Sequence, residues 1–242
     1  MPDAAAPVKG TRPEGALTEA DASNTVREMF TQIAPRYDLL NHLLSMQLDR
    51  LWRARVARRL RHILERPSAL VLDLCCGTGD LAFSLAKSGR AHIVGVDFAH
   101  TMLVRARAKS QRVPSYSGPP APLPMPFFEA DALRLPFADG SFDLVTTAFG
   151  FRNLSNYEAG LREIQRILKP GGTVAILEFT EPPSGLIGNL YRWYFRDVLP
   201  RIGGMLSGDR AAYTYLPKSV ARFFRPAELA GLMSAVGYRS VE

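Results

Sequence analysis

The stretch SALVLDLCCGTGDLAFSLAKSG, residues 68–89, contains the strongest indication of the fold. Its first part, residues 68–74, is a short apolar run that predicts a buried strand. The turn CCGTGD follows, and a helix then runs to Gly89, which we interpret as a C-cap glycine. Gly77 and Gly79 let the backbone of the turn approach a ligand closely, and the next helix presents free N–H groups. The segment therefore predicts a strand–turn–helix unit that binds a ligand at its turn.

Strands and helices alternate along the rest of this region. Further apolar runs predict strands at residues 92–97, 127–131, 142–149 and 171–179. The segments between them predict helices at residues 98–111 and 155–170. Such alternation is typical of a parallel, doubly wound α/β sheet of the Rossmann-like kind. Continuous apolar runs also indicate strands that are buried on both faces.

The remainder of the chain divides into regions by composition. We expect residues 1–24 to be a disordered tail and residues 25–66 to form an N-terminal helical cap, broken near Pro35. Residues 67–242 then form the main domain, which a proline-rich loop interrupts at residues 113–126. No apolar stretch reaches the roughly 20 residues that a membrane-spanning helix needs. We therefore expect one α/β domain in the cytoplasm.

Charge and cysteine content limit which partners and which metal sites the sequence can be expected to have. The formal net charge is +7, and much of the excess lies in the amphipathic helix predicted at residues 49–66. Its arginines are either an ordinary solvated face or a contact with an anionic membrane or a nucleic acid. Cys75 and Cys76 are adjacent, which disfavours a disulfide, and two cysteines are too few for a structural zinc site. We predict free thiols and no metal.

Aspartates stand at or near the ends of three successive predicted strands. Asp97 follows the glycine turn at the distance where a carboxylate binds ribose hydroxyls, and Asp131 suits an adenine amino group. Asp73 precedes Gly77 on the first strand, where it would repel a pyrophosphate and attract an ammonium group. A dinucleotide fingerprint, G-x-G-x-x-A with Ala82, also fits the turn. The three acids together favour S-adenosylmethionine, which joins adenosine to an amino acid.

Several longer motifs carry a resemblance to known families. VLDLCCGTGDL, LRLPFADGSFDLV and LKPGG resemble class I methyltransferases. More narrowly, the chain resembles the UbiE/MenG family, the methylases of demethylmenaquinone and polyprenyl benzoquinol. The segments specific to that family are RYDLLNHLLSMQLDRLWR (36–53), FGFRNL (149–154), ILEF (176–179), LPRIG (199–203) and AAYTYLPKSVARF (211–223).

The resemblance spans residues 25–242 and implies an architecture. We expect a class I S-adenosylmethionine-dependent fold in which the N-terminal helices cover the cofactor cleft. Residues 184–225 are expected to be an insertion that covers the substrate. Relatives continue with further strand past GYRSVE, so the C-terminal edge strands are expected to be truncated here.

The resemblance also implies a set of cofactor contacts. Thr78, Asp97, Asp131 and Ala132 occupy positions that contact S-adenosylmethionine in the family. Ala148 occupies another such position, where many relatives carry a serine that could donate a hydrogen bond. With the acid and the glycines of the turn, the predicted cofactor site comprises Asp73, Gly77, Thr78, Gly79, Asp97, Asp131, Ala132 and Ala148.

The family reaction methylates a ring carbon of a reduced quinone, and ionising the adjacent hydroxyl makes that carbon a stronger nucleophile. Arg152 and Asn153 leave the fourth strand at the edge of the sheet where ligands bind, and an arginine can stabilise an oxyanion. A capping box from Ser155 to Glu158 leaves Asn153 free for the substrate. Tyr37, in the RYDLLN segment, is a further candidate for contacting the hydroxyl or its water. We therefore predict Arg152, Asn153 and Tyr37 as catalytic residues.

These observations predict an S-adenosylmethionine-dependent C-methyltransferase acting on demethylmenaquinol. A ubiquinone-pathway benzoquinol is the alternative substrate, and His42 is an alternative base. An RNA or other small-molecule methyltransferase and a non-catalytic binding module are the alternative classes. The sequence lacks the cysteine–proline and [DNS]PP[YFW] motifs of RNA and amino methylases, so no nucleic acid partner is expected. A prenylated quinol and a basic helix together favour peripheral contact with the inner face of a membrane, and a homodimer is compatible with the sequence.

Overall fold

The strands of the molecule form one parallel sheet. The computed structural model describes residues 10–38, 45, 47–111, 125–181, 185 and 210–242. Its strands are β1 (Leu70–Leu74), β2 (His92–Asp97), β3 (Phe127–Glu129), β4 (Phe142–Ala148) and β5 (Leu168–Leu177). All neighbouring pairs are parallel, in the order β3-β2-β1-β4-β5. The predicted parallel α/β sheet is thus confirmed.

Helices cover both faces of this sheet. They are α1 (Glu19–Ile33), α2 (Leu48–Arg59), α3 (Arg61–Leu64), α4 (Asp80–Ala86), α5 (His100–Ser110), α6 (Tyr157–Ile167), α7 (Arg210–Arg222) and α8 (Pro226–Val236). The basic helix predicted at 49–66 is divided at Leu60 into α2 and α3. Gly89 is not a C-cap, because α4 ends at Ala86 with Lys87 as its cap. A Cβ on Gly89 would lie 2.1 Å from the Leu64 carbonyl oxygen, so glycine allows two turns to approach closely there.

The strand order creates a switch point between β1 and β4. β1 pairs with β2 on one side, where Asp73 lies opposite Gly95, and with β4 on the other, where Asp73 lies opposite Thr146. The chain connections therefore run in opposite directions away from the carboxyl ends of β1 and β4. In an open α/β sheet this is where a crevice forms and ligands bind.

Side chains of the strands alternate between two hydrophobic layers. Leu72, Leu74 and Val145 belong to the larger layer, which also contains apolar side chains of α6 and α8 and the ring of Phe223, just after α7. Val71 and Leu144 face the other layer, with side chains of α2, α3 and α4. Because both faces of the sheet are covered, its strands have the continuous apolar sequences noted above.

The described structure includes residues before the predicted tail boundary at residue 24. Helix α1 already starts at Glu19, and a capping box between Thr18 and Asp21 stabilises its first turn. Residues 10–14, which we call the N-terminal strap, pack against the chain after β4. There the Thr11 backbone N–H donates to the Leu154 carbonyl at 2.7 Å. This contact is between distant parts of the chain, which composition alone does not reveal.

Other predicted segments are only partly described. Most of the proline-rich loop at 113–126 and most of the insertion at 184–225 lie outside the described residues, as does His42. Within the described residues β5 is the last strand, and the truncation of the edge strands stays a prediction. None of the described helices is long and apolar enough to span a membrane.

Candidate active site

A cleft lies at the carboxyl ends of the strands, at the switch point. It contains about 670 Å³ of space between atoms, including solvent at its mouth. Its walls come from the ends of β1, β2 and β4, the bridge at Asp131, and the N-terminal region. Phe30 and Tyr37 form the side that belongs to the N-terminal cap. The predicted cap region thus contributes side chains to the cleft, and its extent over residues 25–66 stays a prediction.

The glycine turn after β1 is shaped by left-handed backbone. Gly77 has φ of 55° and Gly79 has φ of 86°, conformations that glycine adopts at little cost. Gly77 lines the cleft, and a Cβ built on it would lie 3.7 Å from the Tyr37 ring. Gly79 does not line the cleft, because it faces the rings of Phe83 and Phe127 instead.

Two residues that are not glycine also adopt left-handed backbone at the cleft. Cys75, directly after β1, has φ of 54°, and Phe149, directly after β4, has φ of 59°. A Cβ on Gly150 would lie 2.4 Å from the Cys75 Cβ, so the two turns touch. Strained backbone of this kind is concentrated at functional sites. The left-handed backbone of these two residues was not predicted from the sequence, and only the glycine beside Phe149 indicated the close approach.

Asp97, at the end of β2, is held by backbone N–H groups. Its Oδ2 accepts from Gly77 at 2.8 Å and its Oδ1 from Ala99 at 2.9 Å. The carboxyl group lines the cleft although the residue is only 6% exposed. Burial raises its pKa to about 6, despite these hydrogen bonds, which favour the charged form. The side chain is therefore fixed in orientation at the place predicted for a ribose contact.

Asp73 lies beneath the cleft, between β1 and β4, and is absent from its lining. Its Oδ1 accepts from the Thr146 hydroxyl at 3.0 Å. Its Oδ2 is buried and has no hydrogen-bond partner among the described residues. Burial raises the pKa of Asp73 to about 7. A buried carboxylate oxygen without a donor is costly, and a cationic group would satisfy it.

The other predicted cofactor residues divide into two groups. Asp131, Ala132 and Ala148 line the cleft together with Gly77 and Asp97. Thr78 does not, because it is buried behind the turn, where its hydroxyl donates to Asp38 Oδ1 at 2.5 Å and accepts from Lys109 Nζ at 2.8 Å. Five of the eight predicted residues therefore meet at the cleft, and Asp73, Thr78 and Gly79 lie behind its surface.

Charged side chains attach the cap to the glycine turn. Lys109 of α5 pairs with Asp38 at 2.7 Å and with Asp80 at 2.8 Å. Arg53 of α2 pairs with Asp49 at 2.6 Å and with Asp80 at 3.3 Å. These contacts connect α2 and the end of the α1 region to the start of α4, so the cap and the turn form one unit.

Of the three predicted catalytic residues, Tyr37 and Asn153 line the cleft and Arg152 does not. Arg152 is buried behind the wall, with its Nη1 2.5 Å from Glu178 Oε1 and 2.6 Å from the Phe149 carbonyl oxygen. Burial alone would lower the pKa of Arg152, but the Glu178 carboxylate more than offsets this and the pKa is raised. The arginine therefore remains charged, in a buried ion pair with Glu178.

Asn153 is held by contacts at both ends of its amide. Its Nδ2 donates to the Phe149 carbonyl at 3.3 Å, and its Oδ1 accepts from the Tyr215 hydroxyl at 3.0 Å. Asn153 does not cap α6. The predicted cap at Ser155 is wrong. The cap is Asn156, whose Oδ1 accepts from the Ala159 N–H at 3.0 Å. The Ser155 hydroxyl accepts instead from Ser23 of α1.

An aromatic group adjoins the cleft at the end of β4. Phe149 stacks on Phe179 with ring centroids 4.5 Å apart, and Trp52 of α2 meets both rings edge-on. Phe149 itself lines the cleft. These rings provide an apolar surface next to Asn153, which suits a flat, apolar ring. Trp52 lies within the amphipathic helix predicted at residues 49–66, but nothing in that pattern predicts its ring beside the cleft.

Comparisons with known proteins agree with this geometry. The profile of the ubiE/COQ5 methyltransferase family matches residues 18–242. A demethylmenaquinone methyltransferase of Deinococcus radiodurans is 49% identical over 222 residues, which cover 91% of this chain and 87% of that protein. The demethylmenaquinone methyltransferase of Thermus thermophilus is also 49% identical, over 87% of this chain and 91% of that protein. The ubiquinone/menaquinone biosynthesis C-methyltransferase UbiE of Syntrophotalea carbinolica is 44% identical over 89% of this chain and 86% of that protein.

Solved structures share the fold at lower identity. A S-adenosylmethionine-dependent methyltransferase of Thermotoga maritima superimposes with a TM-score of 0.58 and 21% identity, covering 88% of this chain and 81% of that chain. One from Aquifex aeolicus gives 0.52 at 17% identity, covering 75% of this chain and 78% of that one. The chain therefore belongs to the ubiE/COQ5 methyltransferase family, with the methyl-transfer chemistry and the S-adenosyl-L-methionine cofactor that its sequence predicts.

Proposed function

We propose that the chain transfers a methyl group from S-adenosyl-L-methionine to a ring carbon of demethylmenaquinol, forming menaquinol. The observation that carries this proposal is the 49% identity, over about nine tenths of the chain, to two demethylmenaquinone methyltransferases. A benzoquinol of the ubiquinone pathway is the second candidate substrate. It is supported by the 44% identity to proteins named for both ubiquinone and menaquinone biosynthesis.

The cleft residues fit the proposed cofactor. S-adenosyl-L-methionine supplies an activated methyl group on its sulfonium when it is bound. Asp97, already oriented by the Gly77 and Ala99 N–H groups, would hold the ribose hydroxyls. Asp131 and Ala132 would meet the adenine, and the unpaired Oδ2 of Asp73 would balance the ammonium from beneath. Gly77, Asp97, Asp131, Ala132 and Ala148 form what we call the cofactor half of the cleft.

The opposite wall fits a quinol ring. Phe149 offers an apolar face, and Tyr37 and Asn153 offer polar groups beside it. We call Tyr37, Phe149 and Asn153 the substrate half. In this proposal Tyr37 and Asn153 contact the hydroxyl whose ionisation activates the ring carbon, and bound alignment contributes further to the rate.

Arg152 is also part of the proposed mechanism, although it does not line the cleft as first predicted. It lies behind the wall and donates to the Phe149 carbonyl oxygen, which also accepts from Asn153. We propose that its positive charge acts on the developing phenolate from behind this turn, while its hydrogen bonds hold the turn in place. The Glu178 carboxylate weakens that charge and fixes the position of the guanidinium.

The exposed face of α2 supports peripheral contact with a membrane, where a prenylated quinol resides. Leu51 is 65% exposed and Leu48 is 39% exposed. Arg55 and Arg58 follow on the same side of the helix at helical spacing, and both are exposed. Leucines that insert and arginines that meet anionic headgroups are typical of an interfacial helix. We propose docking of this face at the inner side of the membrane; the homodimer and the lack of a nucleic acid partner stay predictions.

Membrane docking is testable with vesicles. Binding to vesicles that contain phosphatidylglycerol should exceed binding to pure phosphatidylcholine and should weaken with added salt. The double variant Arg55→Glu/Arg58→Glu should lose this binding. Arg134→Glu/Arg239→Glu, at two exposed positions elsewhere, changes the net charge equally and should bind anionic vesicles nearly as well as the wild type. Equal loss in both double variants would mean that only net charge matters.

The reaction is tested by incubating the protein with methyl-labelled S-adenosyl-L-methionine and reduced, short-chain demethylmenaquinol. Label on the ring carbon supports the proposal, and a parallel reaction with a demethylated benzoquinol compares the two substrates. Cofactor binding without transfer to either quinol would support the non-catalytic alternative. Faster transfer to the benzoquinol would replace the proposed substrate with the second candidate.

A further inference from the structure

A chain of hydrogen bonds connects the N-terminal strap to Asn153. The Thr11 hydroxyl lies 2.8 Å from the Tyr215 hydroxyl, which in turn lies 3.0 Å from Asn153 Oδ1. The Asn153 amide then reaches the Phe149 carbonyl. Thr11 is 6% exposed and Asn153 is 9% exposed, so these bonds are largely shielded from water. Residues from three distant parts of the chain thus meet behind one side chain of the cleft.

The direction of each bond in this chain follows from simple chemistry. A carbonyl oxygen can only accept, so the amide nitrogen of Asn153 must face Phe149 and its oxygen must face Tyr215. The single hydrogen of the Tyr215 hydroxyl is then used toward Asn153. Consequently the Thr11 hydroxyl must be the donor to Tyr215. Burial raises the pKa of Tyr215, so this hydroxyl keeps its proton at neutral pH.

Further contacts hold the strap and α7 in the positions that this series of hydrogen bonds requires. The Arg12 guanidinium donates to the Ser155 carbonyl at 2.9 Å, and Arg222 of α7 donates to the Arg12 carbonyl at 3.0 Å. A Cβ on Gly10 would lie 2.0 Å from the Ser155 carbonyl oxygen, so the strap lies against the backbone there. The strap and α7 also line a cavity with about 940 Å³ of space between atoms, including open solvent. The hydrogen bonds and the close approach at Gly10 together hold the strap.

We propose that Tyr215, supported by Thr11, is a positioning residue that orients the Asn153 amide for the quinol. With the oxygen held by Tyr215, the nitrogen side of the amide is turned toward the Phe149 end of the cleft, where the ring is expected. One N–H group of that nitrogen donates to the Phe149 carbonyl oxygen, and the second donates to the substrate oxygen. The inference rests on the proposed function, because it gives Asn153 the role of a donor to the quinol hydroxyl.

The orientation matters because an asparagine amide has a donor end and an acceptor end. In the opposite orientation it would present its oxygen toward the substrate and would repel a developing phenolate. Without Tyr215 the two orientations differ less in free energy, and the productive one is populated for a smaller fraction of the time. The rate of methyl transfer should fall in proportion, whereas cofactor binding on the other side of the cleft should not.

The first test compares single variants. Tyr215→Phe should lower kcat about tenfold, the effect of losing one buried hydrogen bond that orients a substrate-contacting amide. Thr11→Val should lower kcat by a smaller factor, and Thr11→Ser, which keeps the donor, should restore it. Tyr238→Phe is the matched control, since its hydroxyl donates to the Leu161 carbonyl far from the cleft. The kcat of Tyr238→Phe should equal that of the wild type, at a melting temperature comparable to that of Tyr215→Phe.

The decisive test is a double-mutant cycle between Tyr215→Phe and Asn153→Ala. If Tyr215 acts only through Asn153, removing both should cost no more in kcat than Asn153→Ala alone. Multiplicative losses, with thermal stability unchanged, would overturn the positioning role and leave the role of Asn153 intact. A normal kcat for Asn153→Ala would instead refute the part of the proposed function that assigns Asn153 to the substrate. The affinity for S-adenosyl-L-methionine, measured by calorimetry, should stay constant throughout the cycle.

Discussion

The cofactor half and the substrate half of the cleft are built in different ways. Gly77, Asp97 and Asp131 come from consecutive strand ends within one stretch of the chain, and backbone N–H groups orient the central carboxylate. Asn153, in the substrate half, depends on partners from the strap and from α7, far away in sequence. The first half follows from local chain geometry, whereas the second exists only once the whole chain has folded. Substitutions in the two halves should therefore impair the protein in different ways.

The largest effect is expected behind the substrate half. Arg152→Ala leaves the Glu178 carboxylate buried without its partner, which should lower the free energy of unfolding by about 3–5 kcal/mol. Thermal or urea unfolding measures this loss. Arg162→Ala removes an exposed pair with Glu158 and should cost less than about 1 kcal/mol.

Replacing both Arg152 and Glu178 separates the effect of the arginine charge on kcat from its effect on stability. The double variant Arg152→Leu/Glu178→Leu should recover much of the lost stability, because no buried charge then lacks a partner. Its kcat should stay low if the positive charge of Arg152 acts on the phenolate. Full recovery of kcat in the double variant would show that Arg152 only supports the fold.

The next effect concerns the cofactor half. Asp97→Ala removes the carboxylate proposed for the ribose, and also the acceptor of two backbone N–H groups. We expect cofactor affinity to fall about 100-fold, as the loss of charge-assisted hydrogen bonds predicts. Calorimetry gives the affinity directly. Asp139→Ala, at an exposed carboxylate, should bind the cofactor as the wild type does; equal binding by Asp97→Ala would remove Asp97 from the site.

A smaller, pH-dependent effect should come from Asp73. Its pKa is about 7 in the folded protein and near 3.8 in the unfolded chain, so the folded state binds the extra proton between these values. The contribution of Asp73 to stability without cofactor should therefore be fully present below about pH 4 and be lost as the pH rises through 7. Cofactor affinity should rise over the upper part of this range, because the ammonium favours the ionised carboxylate.

Asp73→Asn tests that assignment. It cannot titrate, so the pH dependence of both unfolding and cofactor binding should become flatter, with affinity lowered about tenfold at neutral pH. Unfolding curves and calorimetry from pH 5 to 7.5 provide the comparison. An unchanged rise of affinity with pH in this variant would mean that another group, such as Asp97, controls it.

The smallest effect is expected at Ala148, which lines the cleft at the end of β4. Ala148→Ser adds the hydroxyl that the family resemblance implies for a cofactor contact at this position. The change should raise cofactor affinity by a few-fold, on the order of one hydrogen bond of about 0.5–1.5 kcal/mol. Lower affinity would indicate that the hydroxyl finds no partner there and is buried at a cost.

The sequence was sufficient for the sheet and for most of the cofactor half. Apolar runs predict β1 to β5 because strand burial is encoded locally, and Asp97 could be placed because strand ends align at one edge. The sequence did not reveal that Thr78 and Gly79 turn away from the cleft. Their placement depends on Lys109, Asp38 and the ring of Phe83, which meet them only in the fold.

The substrate half was predicted less completely. Asn153 and Tyr37 lie in the cleft, as the motifs suggested, but the Glu178 partner of Arg152 was not expected. Asn156 rather than Ser155 caps α6, and Tyr215 reaches Asn153 across 62 positions of sequence. Nothing in local spacing indicates such pairs, because long-range packing decides them.

The most direct test is a single-turnover measurement on the wild type, Asp97→Ala and Asn153→Ala, each saturated with methyl-labelled S-adenosyl-L-methionine and given reduced demethylmenaquinol. The proposed mechanism predicts rapid ring methylation by the wild type. Asp97→Ala should approach the wild-type rate once saturated, because its defect is in binding, whereas Asn153→Ala should bind the cofactor normally and transfer its methyl group slowly. A wild type that binds the cofactor and transfers no methyl group, or two variants with the same defect, would contradict it.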